Sequence, residues 1–245
     1  RKWAKTWVWN EERTRVYAPK GVNPNDAGAV WHSKVLGQFP LTLDEQGLIP
    51  HNWVRRAQQI DLPPFGAHRL GLDVGGGGDS SCCAEAHGPV VRIRWENRNP
   101  DTMQTTGLLI STLKETGASS ANVDIIGIGR GVVDRAREQN HPVEGINVGE
   151  KALDETAFAN RRAELWWKAR EKFENAQVDL DPNDEELADE LISIRYKRLS
   201  NGKIQIETKD EAKKRGVSSP NRADALMLAL AEEKPKMRRA TWGRN

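Results

Sequence analysis

The 245-residue sequence is poor in cysteine: it has two, and they are adjacent, Cys82 and Cys83. Neighbouring thiols bridge only with strain and have no metal-ligand spacing. A disulfide scaffold and a zinc site are both excluded, and the pair reads as buried thiols in a reducing compartment. The five histidines, His32, His51, His68, His87 and His141, are scattered without ligand spacing. No apolar run approaches the ~20 residues of a membrane-spanning helix, and no signal peptide is visible. The formal charge of +2 excludes binding to polyanions through bulk charge alone. Nowhere does Gly-x-x-x-x-Gly-Lys-[Ser/Thr] occur, and the glycine run at residues 75–78 has no lysine after it, so a P-loop ATPase is not expected. The first residue is Arg1, which reads as a fragment or a processed product.

What is present is a chain long enough for one large domain with an extension. Residues 1–60 hold Trp3, Trp7, Trp9, Trp31 and Trp53 among proline breaks. They read as a loop-rich extension that packs on a neighbouring domain, with a short helix near residues 52–59 capped by Asn52. The break Asp61-Leu62-Pro63-Pro64-Phe65-Gly66-Ala67 marks a boundary. Beyond it, residues 69–73, 81–86 and 90–95 read as three strands of an antiparallel meander. A helix over 102–115 stopped by Gly117, a strand over 122–126, a helix to about 139 and a strand over 143–148 follow. Then come a long helix over 157–173, a short helix over 185–191, a hairpin around Ser200-Asn201-Gly202, and a last helix over 221–232 opened by Pro220. This order implies an α/β domain with a mixed central sheet flanked by helices. Charge is uneven: residues 171–190 are acidic, residues 203–244 carry eleven Lys/Arg against six Asp/Glu, and residues 234–245 form a basic tail.

The chemistry centres on His68-Arg69-Leu70-Gly71-Leu72-Asp73-Val74-Gly75-Gly76-Gly77-Gly78-Asp79. An apolar strand ends there in a carboxylate, and a buried carboxylate needs a cation or donors. Asp124 stands alike in Val123-Asp124-Ile125-Ile126 before a glycine loop. Asp224 lies on the last helix among Ala223, Ala225 and Leu226. Taken singly, these are a turn cap, a sheet-edge charge and a helix-surface charge. Together they are converging carboxylates, which repel unless cations lie between them. Hard oxygen ligands favour Mg²⁺ or Mn²⁺, and two such ions ~3.5–4 Å apart support phosphodiester hydrolysis.

From Gly71 to Glu233, within a domain expected over residues 61–233, the chain resembles the nuclease domain of tailed-phage large terminases, which has the ribonuclease-H-like fold. The residues that carry the resemblance are Leu72-Asp73-Val74-Gly75 with Asp79, Val123-Asp124-Ile125-Ile126-Gly127-Ile128-Gly129, Asn160-Arg161-Arg162-Ala163-Glu164-Leu165-Trp166-Trp167, and Lys214-Arg215-Gly216-Val217-Ser218-Ser219-Pro220-Asn221-Arg222-Ala223-Asp224. Upstream, Val35-Leu36-Gly37-Gln38-Phe39-Pro40 is similar to the segment that links a packaging ATPase to the nuclease. The resemblance implies an endonuclease that cuts concatemeric viral DNA, end-to-end genome copies, at the start and end of packaging in the host cytoplasm. It implies Asp73, Asp124 and Asp224 as catalytic metal ligands, with Asp79 as a further ligand or a loop cap. It also implies double-stranded DNA, the terminase small subunit, the portal and an ATPase domain as partners. Asn221 departs from the family pattern, in which an acidic residue or histidine often precedes the last aspartate by three.

Arg161, Arg162, Lys209, Lys213, Lys214 and Arg215 are the candidate DNA contacts, placed to neutralise phosphates without reading bases. Trp166 and Trp167 read as helix packing. Two other functions stay open at this point. Asp73-Val74-Gly75-Gly76 is also similar to the first phosphate loop of sugar kinases and actin-like ATPases, though no adenosine motif follows. The third reading is a non-catalytic DNA-binding or docking module of a packaging motor.

Overall fold

Alternating burial builds the central sheet. The computed structural model describes residues 47–76 and 78–232, and the backbone of two short antiparallel strands, β1 (Val8–Trp9) and β2 (Val16–Tyr17). The expectations for the remainder of residues 1–46 and for the basic tail lie outside the described residues. Helix α1 (His51–Gln59) leads into β3 (His68–Asp73), β4 (Ser81–His87) and β5 (Val90–Asn97). After these come α2 (Thr102–Thr116), β6 (Ser120–Asp124), α3 (Gly129–Glu138) and β7 (Val143–Ile146). The five strands hydrogen-bond in the order β5-β4-β3-β6-β7. The β3–β4 and β4–β5 pairs are antiparallel, as the expected meander requires, whereas β6 and β7 run parallel to β3. The remaining elements are α4 (Arg161–Glu174), α5 (Glu185–Ser193), the hairpin β8 (Tyr196–Arg198) and β9 (Ile204–Ile206), α6 (Lys209–Lys214) and α7 (Asn221–Leu230).

Both faces of the sheet are covered. Leu70, Leu72, Cys83, Ala121 and Val123 point into one core with Leu109 and Leu113 of α2 and Val132 and Ala136 of α3. Cys82, Ala84 and Ala86 point the other way, into a larger core filled by Trp166 and Phe173 of α4, Leu187 and Leu191 of α5 and most of α7. Burial pushes both free thiols up, Cys83 to about 12, which leaves them inert.

Leu48, Ile49, Val54 and Ala57 belong to the same larger core. The expected boundary at residue 60 therefore falls inside a packed unit that begins by residue 47. Helix α1 starts at His51 after Pro50, with no side-chain cap, so Asn52 is not its N-cap. The long helix starts at Arg161 rather than near 157, because Asn160 accepts the Ala163 N–H as its N-cap and Asp154 folds the preceding turn through Thr156 and Ala157. Strand β6 ends at Asp124, two residues short of the expected end, because the Ile126 N–H turns back onto the Asp124 carboxylate. Helix α6 was not expected; it is announced by the capping box of Thr208 and Glu211. Among the described residues, no helix is long and apolar enough to cross a membrane.

Candidate active site

Strand period and register put two aspartates side by side. Leu72 pairs with Val123 in the parallel β3–β6 ladder, and Asp73 and Asp124 are the next residues on each strand. Since Leu70, Leu72, Ala121 and Val123 fill the α2–α3 core, Gly71, Asp73, Asn122 and Asp124 face the opposite side. Helix α7 lies across that side. It comes so close to β3 that a Cβ on Gly71 would stand 2.2 Å from the Ala225 carbonyl oxygen and the Ala229 nitrogen. Its far end is tied to β6 by the buried Asn122 side chain, which donates to the Leu228 and Ala231 carbonyls at 2.9 and 3.1 Å. Asp224, in the first turn of α7, is 6% exposed and close enough to both strand-end aspartates to repel them.

The electrostatics follow from that packing. The Asp73 carboxyl is pushed up to about 7, first by burial and next by the Asp224 charge; Lys209 and Arg162 pull it down and Asp124 pushes it further up. Burial also raises Asp124, partly offset by the Ile126 N–H. Asp224 directs Oδ1 at two donors on α4, Arg162 Nη2 and Trp166 Nε1, each 3.2 Å away. Those two residues are four apart and share one helix face. Glu190, on α5, accepts the Ala223 N–H at 2.9 Å and is itself pushed up to about 8, chiefly by burial.

Whether this set fits a divalent ion is decided by its oxygens. Among the described residues, no three His, Cys, Asp or Glu side chains form a ready-made cation cage. Asp124 and Asp224 each spend an oxygen on protein donors, and like charges keep the three apart. Asp73, however, is buried with no protein donor among the described residues, and its perturbation comes from burial and charges alone. Three residues before Asp224, the buried Asn221 Oδ1 has no hydrogen-bond partner. A buried carboxylate without a donor and a buried amide oxygen without a partner are hard-oxygen donors of the kind that suits Mg²⁺ or Mn²⁺.

The other candidates divide. Asp79 accepts the Ser219 hydroxyl on one oxygen at 3.1 Å, which ties the glycine loop to the segment before α7. That loop closes on itself: a Cβ on Gly75 would lie 2.2 Å from the Asp79 carbonyl oxygen, so Gly75 serves backbone packing and not an open phosphate cradle. Arg161 is 3% exposed and paired with Glu164 at 2.7 Å, which corrects its expected place on a DNA face. Arg215 is likewise committed, to Glu207 and the Ser193 carbonyl. Arg162 belongs to the carboxylate cluster. Lys209, Lys213 and Lys214 are exposed, with Lys209 within electrostatic reach of Asp73 and Asp124. Sequence reading assigned no site role to Trp166 and passed over Glu190. The i, i+4 spacing of Arg162 and Trp166 was a usable signal for the first; nothing local marks the second.

No protein-family model and no curated protein matches the chain. Solved structures do. The nuclease domain of the large terminase subunit of bacterial virus Sf6 superposes with a TM-score of 0.69 at 24% identity, over 77% of this chain and 100% of that one. The chain has the fold of phage large-terminase nucleases. The large terminase nuclease of thermophilic phage G20c, with bound magnesium, gives 0.55 at 15% identity over 76% of this chain and 95% of that one. The large terminase of bacteriophage HK97 gives 0.53 at 10% identity, over 75% of this chain and 43% of that one.

Proposed function

We propose that this chain is a metal-dependent endonuclease that cuts concatenated viral double-stranded DNA during genome packaging. One observation carries the reading: Asp73 and Asp124 end adjacent parallel strands beneath a helix bearing Asp224, whose charge raises both strand-end carboxyls. Structural neighbours of this fold contain manganese or magnesium. Asp73, Asp124 and Asp224 would hold Mg²⁺ or Mn²⁺, which when bound supplies an activated water and stabilises the leaving oxygen. Arg162 and Trp166 fix one oxygen of Asp224 and leave the other for the site. Lys209 offsets the negative charge of the strand-end carboxylates, while Lys213 and Lys214 present cations to phosphates. The terminase small subunit, the portal and an ATPase domain are the partners this role calls for, in the host cytoplasm.

The test is conversion of supercoiled plasmid to nicked and linear forms with Mg²⁺, with Mn²⁺ and with chelator. Cutting that needs the ion and stops with chelator is expected. An intact plasmid at high protein concentration with Mn²⁺ would leave the docking-module reading in its place.

A further inference from the structure

Helix α7 carries Asp224 but cannot cap its own beginning. Its N-cap position is Pro220, which offers no side-chain acceptor, and the first turn of any helix exposes N–H groups that need partners. The Asn221 N–H reaches back to the Ser219 carbonyl. For Ala223, the acceptor comes from another helix: the Glu190 carboxylate of α5 takes its backbone N–H at 2.9 Å. Ala223 immediately precedes Asp224. The reverse tie is also present. Arg222 extends to Asp184, 3.1 Å away, which is the N-cap of α5 and accepts the Leu187 N–H. The two helix N-termini are therefore bolted together, and the carboxylate that starts α7 is one the chain supplies 33 residues earlier.

Resting on the nuclease reading above, we infer that Glu190 is a positioning residue: as a borrowed N-cap it sets where α7 begins and hence where the Asp224 carboxylate stands over Asp73 and Asp124. It does not touch the reacting atoms. Its acceptor oxygen matters, because an unmet N–H in this buried turn would be relieved by a small slide or fraying of the helix start, and Asp224 lies within that turn. The opposite end of α7 is independently fixed by Asn122, so loss of the cap displaces the Asp224 end alone.

The test uses the full 245-residue chain. Glu190→Met keeps the volume and removes the acceptor; Glu190→Gln keeps an accepting oxygen. Mn²⁺ affinity is measured by calorimetry well below the melting temperature, with near-UV circular dichroism reporting the fold. Residues that orient metal ligands typically control affinity ten- to a hundredfold. The Met variant should bind Mn²⁺ about tenfold more weakly and the Gln variant should be restored to within about twofold, a rescue that simple loss of packing does not produce. Should the Met variant fail to fold, Glu190→Asp, which withdraws the carboxylate by one methylene, should show the same weakening. A folded Met or Asp variant that binds Mn²⁺ like the parent overturns the inference and leaves the nuclease reading standing. Equal weakening in Met and Gln also overturns it, since the cap would then not be the cause. A parent protein that neither binds Mn²⁺ nor cuts DNA overturns both.

Discussion

Replacing Asp73 by asparagine should make the metal-free protein more stable, and only above acidic pH. In the fold the Asp73 carboxyl titrates at about 7 because it is buried and faces Asp224. In the unfolded chain it titrates near 4. Its raised value means the folded state keeps a proton that the unfolded state has released. Stability is therefore undiminished below pH 4, falls as pH rises through the interval from 4 to 7, and is lowered by a constant amount beyond it. The displacement is about three pH units, and at ~1.4 kcal/mol per unit its ceiling is about 4 kcal/mol. Asparagine keeps the shape and removes the ionisation. For a chain of this size ~1 kcal/mol moves the melting temperature roughly 2–4 °C, so Asp73→Asn should melt several degrees above the parent at pH 8 and within a degree or so of it at pH 4. Differential scanning calorimetry in chelator reads both. Millimolar Mn²⁺ should narrow the difference at pH 8, because an ion bound only by the fold stabilises the parent by about 2.7 kcal/mol at a hundredfold excess over its dissociation constant and the variant, lacking one ligand, by less. An equal gain at both pH values, or no gain at pH 8, would refute the buried, mutually repelling carboxylates.

Four further outcomes follow from the same structure. Gly71→Ala puts a methyl 2.2 Å from the α7 backbone and should cost roughly 3 kcal/mol in urea unfolding, at the upper end for overpacking. Trp166→Phe keeps the buried ring but removes the N–H from Asp224; it should cost about 1 kcal/mol in the same assay and lower Mn²⁺ affinity. Replacing Lys213 and Lys214 by alanine should make the slope of log affinity for nonspecific DNA against log salt shallower by up to ~1.8 while leaving the melting temperature unchanged. Arg215→Ala, by contrast, should lower the melting temperature through the lost Glu207 pair and leave that slope alone.

Much of this site was legible because it obeys local periodicity. The alternation of Leu70 and Leu72 with Gly71 and Asp73 fixed a strand and its two faces, and Asp124 repeated the pattern on a neighbour. Asp224 stood out because a solvated aspartate does not usually sit between Ala223 and Leu226. Local reading failed where the deciding partner is distant in sequence. Arg161 and Arg162 are indistinguishable as letters, yet one is buried on Glu164 and the other serves Asp224. Arg215 read as one of a basic cluster until Glu207 claimed it. The start of the domain was misplaced because Leu48 and Ile49 lie in a loop-like stretch, and only α4, α5 and α7 show that they are core. Gly71 was read as a strand residue; its purpose, the close approach of α7, depends on Ala225 and Ala229 more than 150 residues away.

The central claim is that Asp73, Asp124 and Asp224 act as one set, with Asp79 outside it. Plasmid cleavage in Mn²⁺ by the four single aspartate-to-asparagine variants measures this most directly. Loss of cutting is predicted for Asp73→Asn, Asp124→Asn and Asp224→Asn in proteins that remain folded, and near-parental cutting for Asp79→Asn. A parental rate in any of the first three, or loss in Asp79→Asn alone, would contradict the account.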